Sequence, residues 1–211
     1  HVDGAFGLWA AVSPKYRDLL RGHRGADSWS TDAHKWPNVP YDCGVVFVAD
    51  PAAHRRAMSV DASYLAKASA ARDPLDWVPD FSRRARSVPV YAALRSLGVA
   101  GVRRIVEGCS AAAARAAELL AADSRIEVLN EVVLNQVLLR FEVPGREVTE
   151  LTDAVASRVR HDGVCWVGGT TWRGERALRF SVSSAATTLD DVDRSVAAIV
   201  AALDAVIERS G

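Results

Sequence analysis

The spacing of apolar residues changes several times along the second half of the chain. Residues 189–208 carry apolar side chains at every third or fourth position, which predicts an amphipathic helix, and residues 148–160 repeat this spacing. Short runs rich in β-branched and aliphatic residues predict strands at 126–130, 132–141, 164–171 and 177–183. Helices beside such a set of strands predict a small α/β unit over residues 108–211.

The first half shows shorter and less regular apolar runs. Residues 44–49, GVVFVA, are β-branched and aromatic and predict a buried strand. Residues 88–122 are rich in helix formers, with breaks predicted near Gly98 and Gly101. Residues 1–60 are too few to complete a doubly wound sheet, so this region is predicted to belong to a larger α/β domain.

Composition and charge exclude several classes of function. Lys plus Arg and Asp plus Glu number 26 each, so the formal net charge is zero, which argues against a nucleic-acid or anionic-membrane binder. The three cysteines, Cys43, Cys109 and Cys165, are widely spaced and do not form a zinc motif. They favour a reducing, cytoplasmic setting. The sequence also lacks an apolar run long enough to span a bilayer.

Candidate chemistry lies in the first 35 residues. Asp3 ends an apolar segment and is followed by Gly-Ala-Phe-Gly, so its carboxylate is predicted to project into a crevice. Lys35, preceded by His34, follows a Ser/Thr/Asp-rich stretch and is a candidate for imine formation. Pyridoxal phosphate needs such an amine, a carboxylate at its pyridine nitrogen and donors for its phosphate. Residue types alone leave the alternatives of a turn aspartate and a solvated loop open.

Two motifs in order carry a family resemblance. HVDGAFG followed by DSWSTDAHKW resembles the pyridoxal-phosphate-dependent group II amino-acid decarboxylases, the family of the aromatic amino-acid and glutamate decarboxylases. VDASYL, SRRARSVPVYAALRSLG and LRFSVSS are similar to later elements of that family. The resemblance implies an α/β fold, the C-terminal part of a fold-type I transferase. Residues 1–107 would end the large cofactor domain and residues 108–211 would form the small domain.

The resemblance also implies roles for individual residues. Lys35 would form the Schiff base with pyridoxal 5'-phosphate, Asp3 would pair with the pyridine nitrogen, and Ala5 would pack beside the ring. His34 would lie near the phosphate and the lysine and is also a catalytic candidate. The other cofactor-binding candidates, on the phosphate side, are Ser30 and Asp32.

Two further residues are implied to act on the substrate. Tyr64, on a catalytic loop at about residues 60–82, would protonate the quinonoid after carbon dioxide leaves. Arg179, on a strand of the small domain, would meet a substrate carboxylate, although a structural ion pair remains an alternative for it. Gly4 stands where the family has Ala, and this exchange is expected to loosen the turn after Asp3.

The resemblance predicts decarboxylation of an L-amino acid to the amine and carbon dioxide. The alternatives are an aminotransferase or a decarboxylation-linked oxidative deaminase on the same scaffold, and a non-catalytic interaction fragment. The expected partners are the amino-acid substrate, a missing N-terminal segment of the same enzyme and a second copy in a homodimer; no nucleic acid, membrane or metal is expected. Residues 1–211 alone are expected to be inactive, and the sequence does not select the amino acid.

Overall fold

The structure, a computed structural model, describes residues 1–60 and 72–209. The chain divides into two compact units, His1–Val99 and Ala100–Gly211. The domain limit expected between residues 107 and 108 stays a prediction. Each unit has its own β-sheet, so the two are described in turn.

The sheet of the first unit is three-stranded, in the order β1-β2-β3. β1 (Val2–Asp3) runs parallel to β2 (Ser28–Asp32), and β3 (Gly44–Val48) runs antiparallel to β2. β1 and β2 therefore end at the same edge of the sheet. Among the described residues before position 80, the remaining elements are α1 (Pro51–Met58) and the 3₁₀ turns Gly7–Val12, Arg17–Leu20, His23–Gly25 and Pro74–Trp77.

β3 forms where the sequence predicts a strand, but the expectation that it is buried is wrong. Val46 and Phe47 are 50% and 54% exposed. β3 ends the strand order, so within the described part of the chain it is hydrogen-bonded to β2 alone. Burial requires a second layer, and an apolar run specifies the strand without specifying what covers it.

A long helix, α2 (Ser87–Leu120), follows. It contains non-helical backbone at Gly98, whose φ of 58° is a conformation that glycine adopts without steric cost. The break predicted at this position is confirmed, whereas the one near Gly101 is wrong because that residue is buried within the helix. Across residues 1–60 and 72–209, the helices are too short or too polar to span a lipid bilayer.

In the second unit, the period-two and helical repeats of the sequence correspond to real elements. These are β4 (Ile126–Val128), β5 (Gln136–Phe141), α3 (Val148–Asp162), β6 (Gly168–Trp172), β7 (Glu175–Ser181) and α4 (Leu189–Glu208). The strands form an antiparallel sheet in the order β4-β5-β7-β6, with α3 packed against it and α4 packed against α3. Side chains of β5 alternate, with Val137, Leu139 and Phe141 buried.

Candidate active site

The parallel pairing of β1 and β2 brings the predicted carboxylate and amine segments to one edge. Asp3 pairs with Ser30, and β2 ends two residues later at Asp32. The chain then turns, so that Lys35 follows directly after the end of this strand. The crevice beyond the carboxyl ends of parallel strands is a recurrent ligand site in α/β proteins. The strand pairing therefore brings the segments that carry Asp3 and Lys35 to the same edge of the sheet, and their roles at a cofactor stay predictions.

The amine of Lys35 is held by an anion and an aromatic ring. Its Nζ lies 2.8 Å from Oδ2 of Asp32 and 5.1 Å from the centre of the Phe6 ring. The Lys35 side chain is 31% exposed, so small molecules reach it from solvent. Phe6 itself packs edge-on against Trp36, whose side chain is completely buried. These contacts fix the direction of a long and otherwise mobile side chain.

His34 is oriented by Tyr41 and Cys43, which lie in the segment just before β3. The backbone N–H of Cys43 donates to its Nδ1 at 3.0 Å. The ring of Tyr41 lies against the imidazole, with 4.1 Å between ring centres. The other ring nitrogen, Nε2, lies 3.8 Å from Oδ2 of Asp32. His34 and Lys35 thus share one carboxylate.

The turn after Asp3 is locked by its own backbone. The N–H of Ala5 donates to Oδ1 of Asp3 at 3.2 Å, and the carbonyl of Ala5 accepts from the N–H of Asp32 at 3.3 Å. A Cβ on Gly4 would lie 2.2 Å from Cγ of Leu8. Leu8 therefore fills the space that an Ala methyl would need, and the exchange at Gly4 does not leave the turn loose.

Ser30 lies on the same face of β2 as Asp32 and beside Asp3 in the register. Its hydroxyl is 3.2 Å from Nε2 of His1, whose Nδ1 is 2.8 Å from the hydroxyl of Ser28. The face thus presents hydroxyls and an imidazole next to the Asp3 carboxylate. These are suitable donors for an anionic group, as the sequence predicts for Ser30.

An arginine cluster holds the loop that carries Tyr41. Asp42 receives two hydrogen bonds from Arg86, each 3.1 Å long, and one from Arg84 at 3.1 Å. Arg84 also donates to the Tyr41 carbonyl at 2.6 Å. The Arg86 hydrogen bonds hold the pKa of Asp42 below its ordinary value. Arg84 and Arg86 therefore support the loop that positions His34.

The roles predicted for two further residues are not tested by this geometry. Tyr64 lies outside the described residues, so its role as proton donor stays a prediction. Arg179 belongs to the second unit, where it pairs with Leu138 and Gly168 and its side chain is exposed on β7. Its role at a substrate carboxylate also stays a prediction.

Sequence reasoning missed Tyr41, Cys43 and Phe6. The signal for the first two was available, because β2 and β3 form an antiparallel pair in which Asp32 opposes Gly44. Residues just before β3 must then lie beside residues just after β2. The Phe6 contact depends on the packing of Trp36, which no local pattern specifies.

The donor set fits pyridoxal phosphate. An amine, a carboxylate, an imidazole and a hydroxyl lie along the edge and one face of the β1–β2 pair, in Lys35, Asp3, His34 and Ser30. The cofactor needs an attachment amine, a carboxylate for its ring nitrogen and polar groups for its phosphate. Ala5 follows Asp3 in the same turn, and its predicted place beside the cofactor ring stays a prediction.

Comparison with known proteins identifies relatives over nearly the whole chain. The family described as pyridoxal-dependent decarboxylase conserved domain matches residues 1–142. Histidine decarboxylase of Drosophila melanogaster is 32% identical over 194 residues, which are 91% of this chain and 22% of that protein. Aromatic-L-amino-acid decarboxylase of Drosophila lebanonensis is 32% identical over 206 residues, 97% of this chain and 50% of that protein.

Solved structures share the fold. The crystal structure of Oryza sativa TDC with PLP and tryptamine matches with a TM-score of 0.89 at 24% identity, over 98% of this chain and 44% of that chain. The fold expected from the motifs is therefore confirmed, and the chain spans half or less of the length of these relatives. Since the family match covers well over half of its residues, the chain belongs to the pyridoxal-dependent decarboxylase family.

Proposed function

We propose that this chain contributes the attachment lysine and the ring-nitrogen carboxylate to a carboxy-lyase that converts an L-amino acid to its amine and carbon dioxide. The observation that carries the proposal is the common edge of β1 and β2, beside which Asp3 and Lys35 lie. Lys35 would hold pyridoxal 5'-phosphate through its Nζ, and Asp3 would keep a proton on the pyridine nitrogen. When bound, the cofactor supplies the electron sink that decarboxylation requires.

The other residues bind, orient and deliver a proton. His34, held by Tyr41 and the Cys43 backbone, presents its Nε2 to the site. Ser30 contributes a hydroxyl on the phosphate side. Tyr64 donates a proton to the substrate Cα after carbon dioxide leaves, and Arg179 binds a substrate carboxylate as a bidentate ion pair.

The proposal extends to the protein that surrounds these residues in the enzyme. The relatives in the family are longer, and β3 exposes Val46 and Phe47 along an edge of the sheet. We propose that a further segment of the same enzyme packs here, and that the enzyme is a homodimer. We also propose a cytoplasmic location, which is supported by the lack of a disulfide among the described residues Cys43, Cys109 and Cys165.

The test incubates the assembled enzyme, loaded with pyridoxal phosphate, with one L-amino acid at a time. Aromatic amino acids and histidine come first, because the relatives described above include decarboxylases of these amino acids. Glutamate, aspartate and diaminobutyrate complete the set. We expect one mole of amine for each mole of carbon dioxide, and loss of both in Lys35→Ala. A keto acid, or an aldehyde with ammonia, would instead identify an aminotransferase or an oxidative deaminase. A protein that retains no cofactor on Lys35 would be a non-catalytic fragment.

A further inference from the structure

Asp32 occupies a position that its predicted role on the phosphate side does not explain. Its Oδ2 lies 2.8 Å from Nζ of Lys35 and 3.8 Å from Nε2 of His34. The Asp32 side chain is 26% exposed and the His34 side chain 14%, so these groups are only partly screened by water. A carboxylate this close is a counter-ion for the lysine.

The backbone makes this arrangement a built one. The N–H of Asp32 donates to the carbonyl of Ala5, and the carbonyl of Asp32 accepts from the N–H groups of Lys35 and Trp36 at 3.2 and 3.3 Å. The turn therefore places Lys35 three residues on, directly beside the Asp32 side chain. These backbone hydrogen bonds keep the two residues close enough for their side chains to meet.

We infer that Asp32 is a positioning residue whose carboxylate holds the amine of Lys35 before the cofactor binds. Asp32 has to release this amine before Lys35 can attach to the cofactor. The inference rests on the proposed function, in which Lys35 is the attachment residue. An ammonium nitrogen has no free electron pair, so it must give one proton to solvent before it adds to the aldehyde carbon. The aldehyde oxygen then leaves as water. The Asp32 carboxylate lies 2.8 Å from this nitrogen and has to separate from it before the amine can add, which slows attachment.

The test measures labelling of Lys35 by two aldehydes, pyridoxal 5'-phosphate and pyridoxal. Borohydride reduces the carbon–nitrogen link, and peptide mass spectrometry gives the initial rate at Lys35. In Asp32→Asn, which keeps the shape and loses the charge, we expect labelling by both aldehydes to accelerate about two- to five-fold, as for a partly exposed ion pair. Asp18→Asn, an exposed carboxylate on a separate turn, should label at the unaltered rate.

Each result bears on the inference. Acceleration with pyridoxal phosphate alone would mean that Asp32 repels the phosphate instead of holding the amine, and equal rates for both aldehydes in both proteins would also overturn the inference. If wild-type Lys35 is not labelled at all, the proposed function fails first.

A second test uses the wild-type protein alone. Added salt should raise the rate of labelling by pyridoxal, because salt screens the ion pair between Asp32 and Lys35. A salt-independent rate would contradict the inference.

Discussion

At the scale of single residues, the glycine at position 4 is matched to the size of its neighbour Leu8. A Cβ at this position would lie within 3.0 Å of three side-chain carbons of Leu8. Leu8 has little freedom to withdraw, since its N–H donates to the Gly4 carbonyl at 3.2 Å. The small residue and the large one are therefore coupled in the turn that carries Asp3.

Gly4→Ala is expected to destabilise the protein by about 1–3 kcal/mol, the usual cost of overpacking. Most of this cost should disappear in the Leu8→Ala background, because the colliding atoms are removed. Gly7→Ala is the matched control, since a Cβ there meets no atom within 4 Å. Urea unfolding of the four proteins of the cycle measures the coupling. Equal costs of Gly4→Ala in both backgrounds would refute it.

At the scale of elements, helix caps explain where the predicted helices begin. The hydroxyl of Thr188 accepts from the N–H of Asp191, and the Asp191 carboxylate accepts from the Thr188 N–H at 2.9 Å. The hydrogen bond from the Thr188 N–H, followed by those from its hydroxyl and Arg194, lowers the pKa of Asp191 to about 2. The capping box thus contains a titratable group that is ionised throughout the neutral range.

Acid should weaken the start of α4. Because the pKa of Asp191 is lower in the folded chain than its ordinary value of 3.8, this residue stabilises the fold above pH 3.8. That contribution is lost as the pH falls through about 2. Asp191→Asn should lower the melting temperature at pH 7 and flatten its dependence on pH in the acid range. Asp190→Asn, also in the first turn, is the control. An unchanged pH profile in Asp191→Asn would contradict the role of the cap.

Local sequence pattern specifies the ends of helix α4 better than the start of strand β6. The helical repeat at residues 189–208 matches α4 at both ends, because a 20-residue amphipathic stripe and its cap are local features. The strand predicted from residue 164 begins at Gly168 instead. Its start depends on pairing with β7, where Gly168 opposes Arg179. Pairing is a long-range interaction, and strand ends are consequently less well specified by local pattern.

At the scale of the whole molecule, apolar surface is the main feature left uncovered. Phe47 of β3 lines an open cavity of about 410 Å³ with Leu8, His23, Arg24 and Trp29. An edge strand with exposed apolar side chains promotes association between molecules. The purified chain should therefore self-associate through this face.

Phe47→Lys should reduce this self-association, measured as the weight-average mass in sedimentation equilibrium. A charge on an edge strand disfavours pairing with a second edge. Leu19→Lys provides the comparison, since Leu19 is similarly exposed at 52% but lies on a 3₁₀ turn among charged residues. An equal reduction by both substitutions would show that the strand edge is not the contact.

The sequence by itself determined the family, the order of most elements and the identity of the attachment lysine and its carboxylate partner as candidates. These follow from residue types at short spacings, which can be read directly from the amino-acid sequence. Only the tertiary structure decided that Asp32 faces Lys35, that Tyr41 and Cys43 orient His34, and that Leu8 fills the space above Gly4. These contacts arise from the pairing of strands and the direction of side chains, which depend on residues distant in sequence.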